Sequence, residues 1–240
     1  LVMAYLFLKA QGLAGKPVAD IRIDGAGKKV TRSDNCRVSD LSVSSDNLTF
    51  TYEAKSLPYP IDTSYYDNEK HTQADALSVI PFMDEMNYEG LSVSGLSDGY
   101  YGLTIGREFI GRFTARELER GINMALLQNT PQYKQAMKIR QMNEERWLKE
   151  RKMREFYWVE YNLMRKTGML WACDEAAVDT LRKYRPHDIF LQWNGDLWLQ
   201  YMHKGIREDC VNEQQDLVDR IYEQNKPIPL QIEIKKFTDL

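Results

Sequence analysis

Val18-Ala19-Asp20-Ile21-Arg22-Ile23 alternates apolar and polar residues with the two-residue period of a half-buried strand. The Gly25-Ala26-Gly27 turn follows it, and Val38 to Val43 and Leu48 to Tyr52 alternate again around Ser44-Ser45-Asp46-Asn47. Three short alternating runs joined by turns predict an antiparallel meander. Further along, Leu91-Ser92-Val93-Ser94, Tyr101-Gly102-Leu103-Thr104-Ile105 and Phe109-Ile110-Gly111-Arg112-Phe113 repeat the pattern, with Ser97-Asp98-Gly99 as a hairpin signal.

On either side of these strands the period lengthens. Residues 1 to 11 form an apolar helix stopped by Gly12 and Gly15, and Ala74 to Asn87 looks helical despite Pro81. Thr114-Ala115-Arg116-Glu117 is a capping box, and Asn129-Thr130-Pro131 opens a long helix that runs toward Thr167 and ends at Gly168. Met153, Phe156, Tyr157, Leu163 and Met164 share one of its faces. Asp174 caps a helix through Tyr184, an aromatic loop surrounds Trp193 to Trp198, Glu208 to Gln224 is a last helix, and Pro229 to Ile234 ends the chain as a strand. The fold class is therefore α+β, with regions at 1–16, 17–127 and 128–240: an opening helix, a β-rich region with inserted helices, and a long-helix region closing on a strand.

The 240 residues carry 43% hydrophobic and 28% charged side chains, an ordinary globular balance, and a net charge of -3 gives no global field for nucleic acid or an anionic membrane. Basic residues do gather between Lys134 and Arg154, but Glu144, Glu145, Glu150 and Glu155 interleave with them, which predicts a salt-bridged, solvated face and no nucleic-acid partner. The opening run from Leu1 to Leu8 is far short of a membrane span and lacks the flanks of a signal peptide, so no transmembrane segment is expected. Leu1 in first place suggests a processed chain or a fragment. Cys36, Cys173 and Cys210 lie outside any metal or redox spacing and leave room for one disulfide.

Catalytic motifs are missing. There is no Gly-x-Ser-x-Gly, no phosphate loop and no His-Glu-x-x-His, and His71, His187 and His203 are scattered. Each histidine reads as a structural or surface residue, because histidine catalysis needs an orienting partner. Trp193-Asn194-Gly195-Asp196-Leu197-Trp198 sets two indoles among polar groups, a mixture that serves a ligand or a packed corner equally well. The loop from Leu57 to Thr72, rich in Pro, Tyr and Asp, has the length of a lid or site border. Candidate cleft or ligand contacts are thus Tyr59, Asn123, His187, Trp193, Asn194, Asp196 and Trp198, with no catalytic residue, no metal and no cofactor assigned.

Five segments resemble, in order, the C-terminal half of bacterial SGNH (GDSL-like) hydrolases. They are Leu1 to Ala10, Leu57-Pro58-Tyr59-Pro60, Val93-Ser94-Gly95-Leu96 to Tyr101, Gly121-Ile122-Asn123-Met124-Ala125, and Asn129-Thr130-Pro131. The resemblance implies that residues 1 to 16 are the last helix of an α/β hydrolase core, whose catalytic blocks would lie upstream of Leu1 as this chain's partner. It also implies acyl or acetyl ester hydrolysis, an ester or carbohydrate substrate, and a periplasmic or extracellular location. Neither Gly-Asp-Ser nor Asp-x-x-His occurs here, so the chain alone would lack the serine and its base. The alternative is a non-catalytic module that binds a glycan or a protein.

Overall fold

The computed structural model describes residues 1–63 and 72–237. Contacts divide the chain into two compact units, Leu1–Lys138 with Asn225–Leu240, and Ile139–Gln224.

The first unit opens with α1 (Val2–Ala10) and holds two sheets. One sheet has β1 (Ala19–Asp24) and β5 (Glu89–Ser94) at its centre, with β2 (Lys29–Asp34) and the two-residue β8 (Ile122–Asn123) at its edges. The other orders β3 (Cys36–Val43), β4 (Asn47–Ala54), β9 (Leu230–Lys236), β6 (Tyr100–Ile105) and β7 (Glu108–Thr114). The expected meander is therefore split. β1 pairs antiparallel with β2 but parallel with β5, while β3 and β4 belong to the second sheet. Burial explains the parallel pair. Nearly every position of β1 and β5 is covered, which is the condition parallel strands require, whereas β4 buries only alternate residues, Leu48, Phe50 and Tyr52.

The Ser97-Asp98-Gly99 turn also differs from expectation. It joins β5 in one sheet to β6 in the other, so it is a crossing and not a hairpin; the hairpin is β6–β7, turning at Gly106. Gly95 permits the crossing. It sits at φ 73°, and a Cβ there would lie 2.8 Å from that of Ala26. The closing strand β9 inserts between β4 and β6, bringing Ile232 and Ile234 into the main core beside Phe50, Leu103 and Ile105.

Among the described residues, helix α1 packs into a cluster that contains no strand residue. Tyr5 is its one buried side chain and packs with Ile61, Ile80, Phe82, Met83 and Ala125, while its hydroxyl donates to Glu85 at 2.7 Å. The helix expected over 74–87 is broken where proline dictates: a 3-10 turn covers Gln73–Ser78 and α2 is only Phe82–Glu85, after Pro81. The capping box at Thr114 is present and starts α3 (Ala115–Arg120), with Thr114 N–H on Glu117 at 2.7 Å and Glu117 N–H on Thr114 Oγ1 at 3.1 Å. Thr114→Ala is expected to lower stability by about 1 kcal/mol in urea unfolding.

Thr130, fully buried, caps α4 (Pro131–Val159) as its sequence position requires. A π turn, Glu160–Met164, follows, and Gly168 at φ 75° ends the run. The second unit adds α5 (Glu175–Tyr184), α6 (Ile189–Tyr201) and α7 (Lys204–Gln224) around Met153, Phe156, Val159, Leu181, Leu191 and Trp198. Asp174 caps α5, as expected. The Trp193 to Trp198 segment is not a loop but the middle of α6, because Asp188 caps that helix by accepting from Phe190 and Leu191 N–H. Along α4 the acidic residues pair with the basic ones, Glu144 with Arg140 at 2.8 Å and Glu155 with Arg151 at 2.7 Å among others. All three cysteines are free. Among the described residues no helix is long and apolar enough to cross a membrane.

Candidate functional site

Polar chemistry concentrates at one place in each unit. In the first unit, β5 presents Glu89 inward at zero exposure. Its Oε1 accepts the Tyr52 hydroxyl proton at 2.8 Å and Gln132 Nε2–H at 3.2 Å, while among the described residues neither Oε2 nor Gln132 Oε1 has a partner. Burial pushes the carboxyl up to about 7, with the two donated bonds acting in the opposite sense. Burial also holds the Tyr52 phenol protonated, far above its ordinary range.

Tyr59 and Asn123 meet beside this group through Asn87, which is fully buried. Asn87 accepts from Tyr59 N–H at 2.7 Å and donates to Tyr59 O at 2.9 Å. Asn123 accepts from Glu89 N–H at 2.9 Å and donates to Met83 O at 3.0 Å and Asn87 O at 3.3 Å. Both amides thus hold the end of a loop against β5. Tyr59 keeps an exposed ring stacked edge-on to Phe82, with Gln73 donating to its hydroxyl at 2.7 Å. His71 lies outside the described residues.

The other candidates lie in the helical unit, and α6 separates them by face. Trp198 has no exposed surface, and its indole N–H donates to the buried Glu160 of the π turn at 2.8 Å. The second oxygen of Glu160 accepts from Trp171 N–H at 2.9 Å, which holds Trp171 at an uncommon φ of 64°. Trp193, five residues earlier, is 66% exposed and stands edge-on to Phe190, which packs on Trp158 with ring centres 5.2 Å apart. Trp193→Ala is expected to change stability by less than ~0.5 kcal/mol in the same unfolding assay. Asp196 forms a two-pronged pair with Arg185, both oxygens at 2.7 Å, and the guanidinium holds its carboxyl below the usual range.

Trp158 divides two pockets. One, lined by Trp147, Arg151, Arg154, Trp158 and Asn194, has its charges already paired along α4. The other, of about 350 Å³, lies between the π turn and the start of α6 and includes His187. Asn194 and His187 therefore border neighbouring cavities, with Trp193 on the same aromatic strip. Among the described residues, no group of three or more His, Cys, Asp or Glu is placed to hold a metal ion.

Glu89, Gln132, Glu160 and Trp158 were not singled out from the sequence. A glutamate in the Tyr88-Glu89-Gly90-Leu91 strand was the available signal for the first. Nothing in the helical periodicity announced the π turn.

Residues 137–226, which include the whole helical unit, match the family described as diltiazem deacetylase C-terminal helical domain. Among solved structures the chain is similar to one titled BT4096, a gut microbial diltiazem-metabolizing enzyme, with TM-score 0.92 and 39% identity over 98% of this chain. The chain spans about half of that structure's length, 53%. No curated protein matches it. These findings overturn the SGNH (GDSL-like) resemblance, and with it the terminal helix of an α/β SGNH core and the secreted location lose their support; nor do they give evidence of an upstream core as partner. The misleading segments have local causes. Gly121 ends α3 at φ 94° and Asn129-Thr130-Pro131 starts α4, and such helix stops and starts recur in unrelated folds. What the chain is similar to is a diltiazem-metabolizing enzyme along 98% of its length and, over residues 137–226, the C-terminal helical domain of a diltiazem deacetylase.

Proposed function

We propose that this chain serves an ester hydrolase of the deacetylase kind, which moves an acetyl group from an ester oxygen to water and releases the alcohol. The supporting observation is the similarity over 98% of the chain, at 39% identity, to a diltiazem-metabolizing enzyme. Binding, not bond cleavage, is the role we give the residues described. The strip formed by Trp158, Phe190 and Trp193 offers flat apolar faces for an aromatic ester, with Asn194 and His187 at its borders. Tyr59 and Asn123, fixed on Asn87, frame the first unit's loop in the same supporting sense. No nucleophile is assigned among them. A free-standing glycan- or protein-binding module is the less favoured alternative, since the likeness is to an enzyme.

The test is acetate release from diltiazem by the protein as its gene encodes it. Acetate and the deacetylated alcohol are expected in equal amounts, and Trp158→Ala should raise KM several-fold while changing kcat less, the pattern of lost uniform binding. Failure to release acetate from diltiazem or from simple aryl acetates would sink the proposal.

A further inference from the structure

The pocket between the π turn and α6 is built from two kinds of surface. Trp158, Leu163, Tyr184 and Leu191 give it apolar walls, and Lys166 and His187 stand at its border. Its volume of about 350 Å³ falls at the lower end of the range for small-molecule sites.

Several polar groups in its wall are already engaged. Asp188 accepts from Phe190 N–H at 2.8 Å and Leu191 N–H at 3.3 Å through Oδ1, which ties that oxygen to the start of α6. Asn162 donates to Trp158 O at 2.9 Å, and the Thr167 hydroxyl donates to Leu163 O at 3.0 Å. Lys166 and His187, by contrast, have no side-chain hydrogen bond or ion pair among the described residues. Lys166 and His187 thus bring an ammonium and an imidazole to a lining of aromatic and aliphatic side chains, beside the Tyr184 hydroxyl and Asp188.

The π turn supports a built site. Its wider pitch, with Arg165 N–H bonded to Glu160 O at 2.8 Å, lies next to the residues that line the cavity, and buried Glu160 fixes it from behind through Trp198 and Trp171. Such turns are less favourable than α-helix and gather at functional sites.

We infer that the pocket lined by Trp158, Leu163, Lys166, Tyr184, His187 and Leu191 binds a small aromatic anion, its ring against the indole and the leucines and its carboxylate or phenolate at Lys166 and His187. The inferred pocket shares Trp158 and His187 with the strip proposed for an aromatic ester, but binding of the anion needs no turnover.

The test is isothermal titration of the 240-residue chain with 2-naphthoate, and with 2-naphthylmethylamine as a cation carrying the same rings. Naphthoate is expected to bind with Kd below ~1 mM, and the amine at least about tenfold more weakly. Lys166→Ala and His187→Ala, both on exposed side chains that leave the core intact, should each weaken naphthoate about fivefold, and added salt should do the same. Equal or tighter binding of the amine would show that the rings select cations and overturn the inference. So would unchanged affinity in both variants, or no heat from naphthoate up to ~10 mM. Because the readout is binding, this result and that of the acetate assay are independent.

Discussion

Replacing Glu89 with glutamine is expected to leave the protein about as stable as the parent at pH 5 and more stable by up to about 3 kcal/mol at pH 8. The sign follows from burial. Glu89 ionises near 7 in the fold against an ordinary value of 4.5, so the folded chain holds a proton that the unfolded chain releases. The stability tied to that proton is fully present below about 4.5 and is lost as pH climbs through 7. Geometry points the same way. Gln132 Nε2 already meets one oxygen of Glu89, while the other oxygen and Gln132 Oε1 are both buried acceptors with nothing to accept. A proton on Glu89 lets the pair satisfy each other as acid and amide, and a glutamine side chain supplies an N–H in the same place at every pH. Thermal unfolding of both proteins from pH 5 to 8 checks this. Parallel curves would mean that Glu89 is ionised in the fold throughout and that its unpaired oxygen has another explanation.

That group shows where sequence reasoning stops. The strands of both sheets apart from β2 and β8, the caps at Thr114, Thr130 and Asp174, and the strand read over 229–234 were legible because each depends on neighbours in the chain: an alternating pattern, or a side-chain oxygen three residues from its donor. The pairing was not. β1 lies beside β5, seventy residues away, and β9 enters between β4 and β6 from the far end of the chain, arrangements decided by which strands need both faces covered. Glu89, Tyr52 and Gln132 come from β5 in one sheet, β4 in the other and the start of α4, and meet through side-chain packing, so no local pattern could have joined them. The Trp193 to Trp198 segment failed for a different reason. Gly195 and the polar residues around it suggested a turn, but Asp188 starts a helix upstream, and packing of Leu191, Trp198 and Tyr201 carries it through the glycine. Once the segment is helical, its two tryptophans no longer form one site: the first lies on the surface, the second in the core.

Trp198 should therefore behave as the structural anchor of the helical unit. Trp198→Ala is expected to destabilise that unit by about 4 kcal/mol or more, because it removes a large, fully buried side chain and strands the Glu160 oxygen that it serves. Trp198→Phe retains most of the ring volume but cannot donate to Glu160, and about 2 kcal/mol is expected from the unpaired buried carboxylate alone. Adding Glu160→Gln to Trp198→Phe should recover part of that loss, since a neutral amide suffers less from burial without a partner than a charged carboxylate does. Urea unfolding followed by helical circular dichroism measures all three, with Trp193→Ala as the surface control. If Trp198→Phe matches the parent, the bond to Glu160 contributes nothing and the π turn is held by packing. If the loss appears and the double variant recovers some of it, the buried carboxylate is the link that keeps the π turn, and with it the wall of the Trp158 pocket, in place.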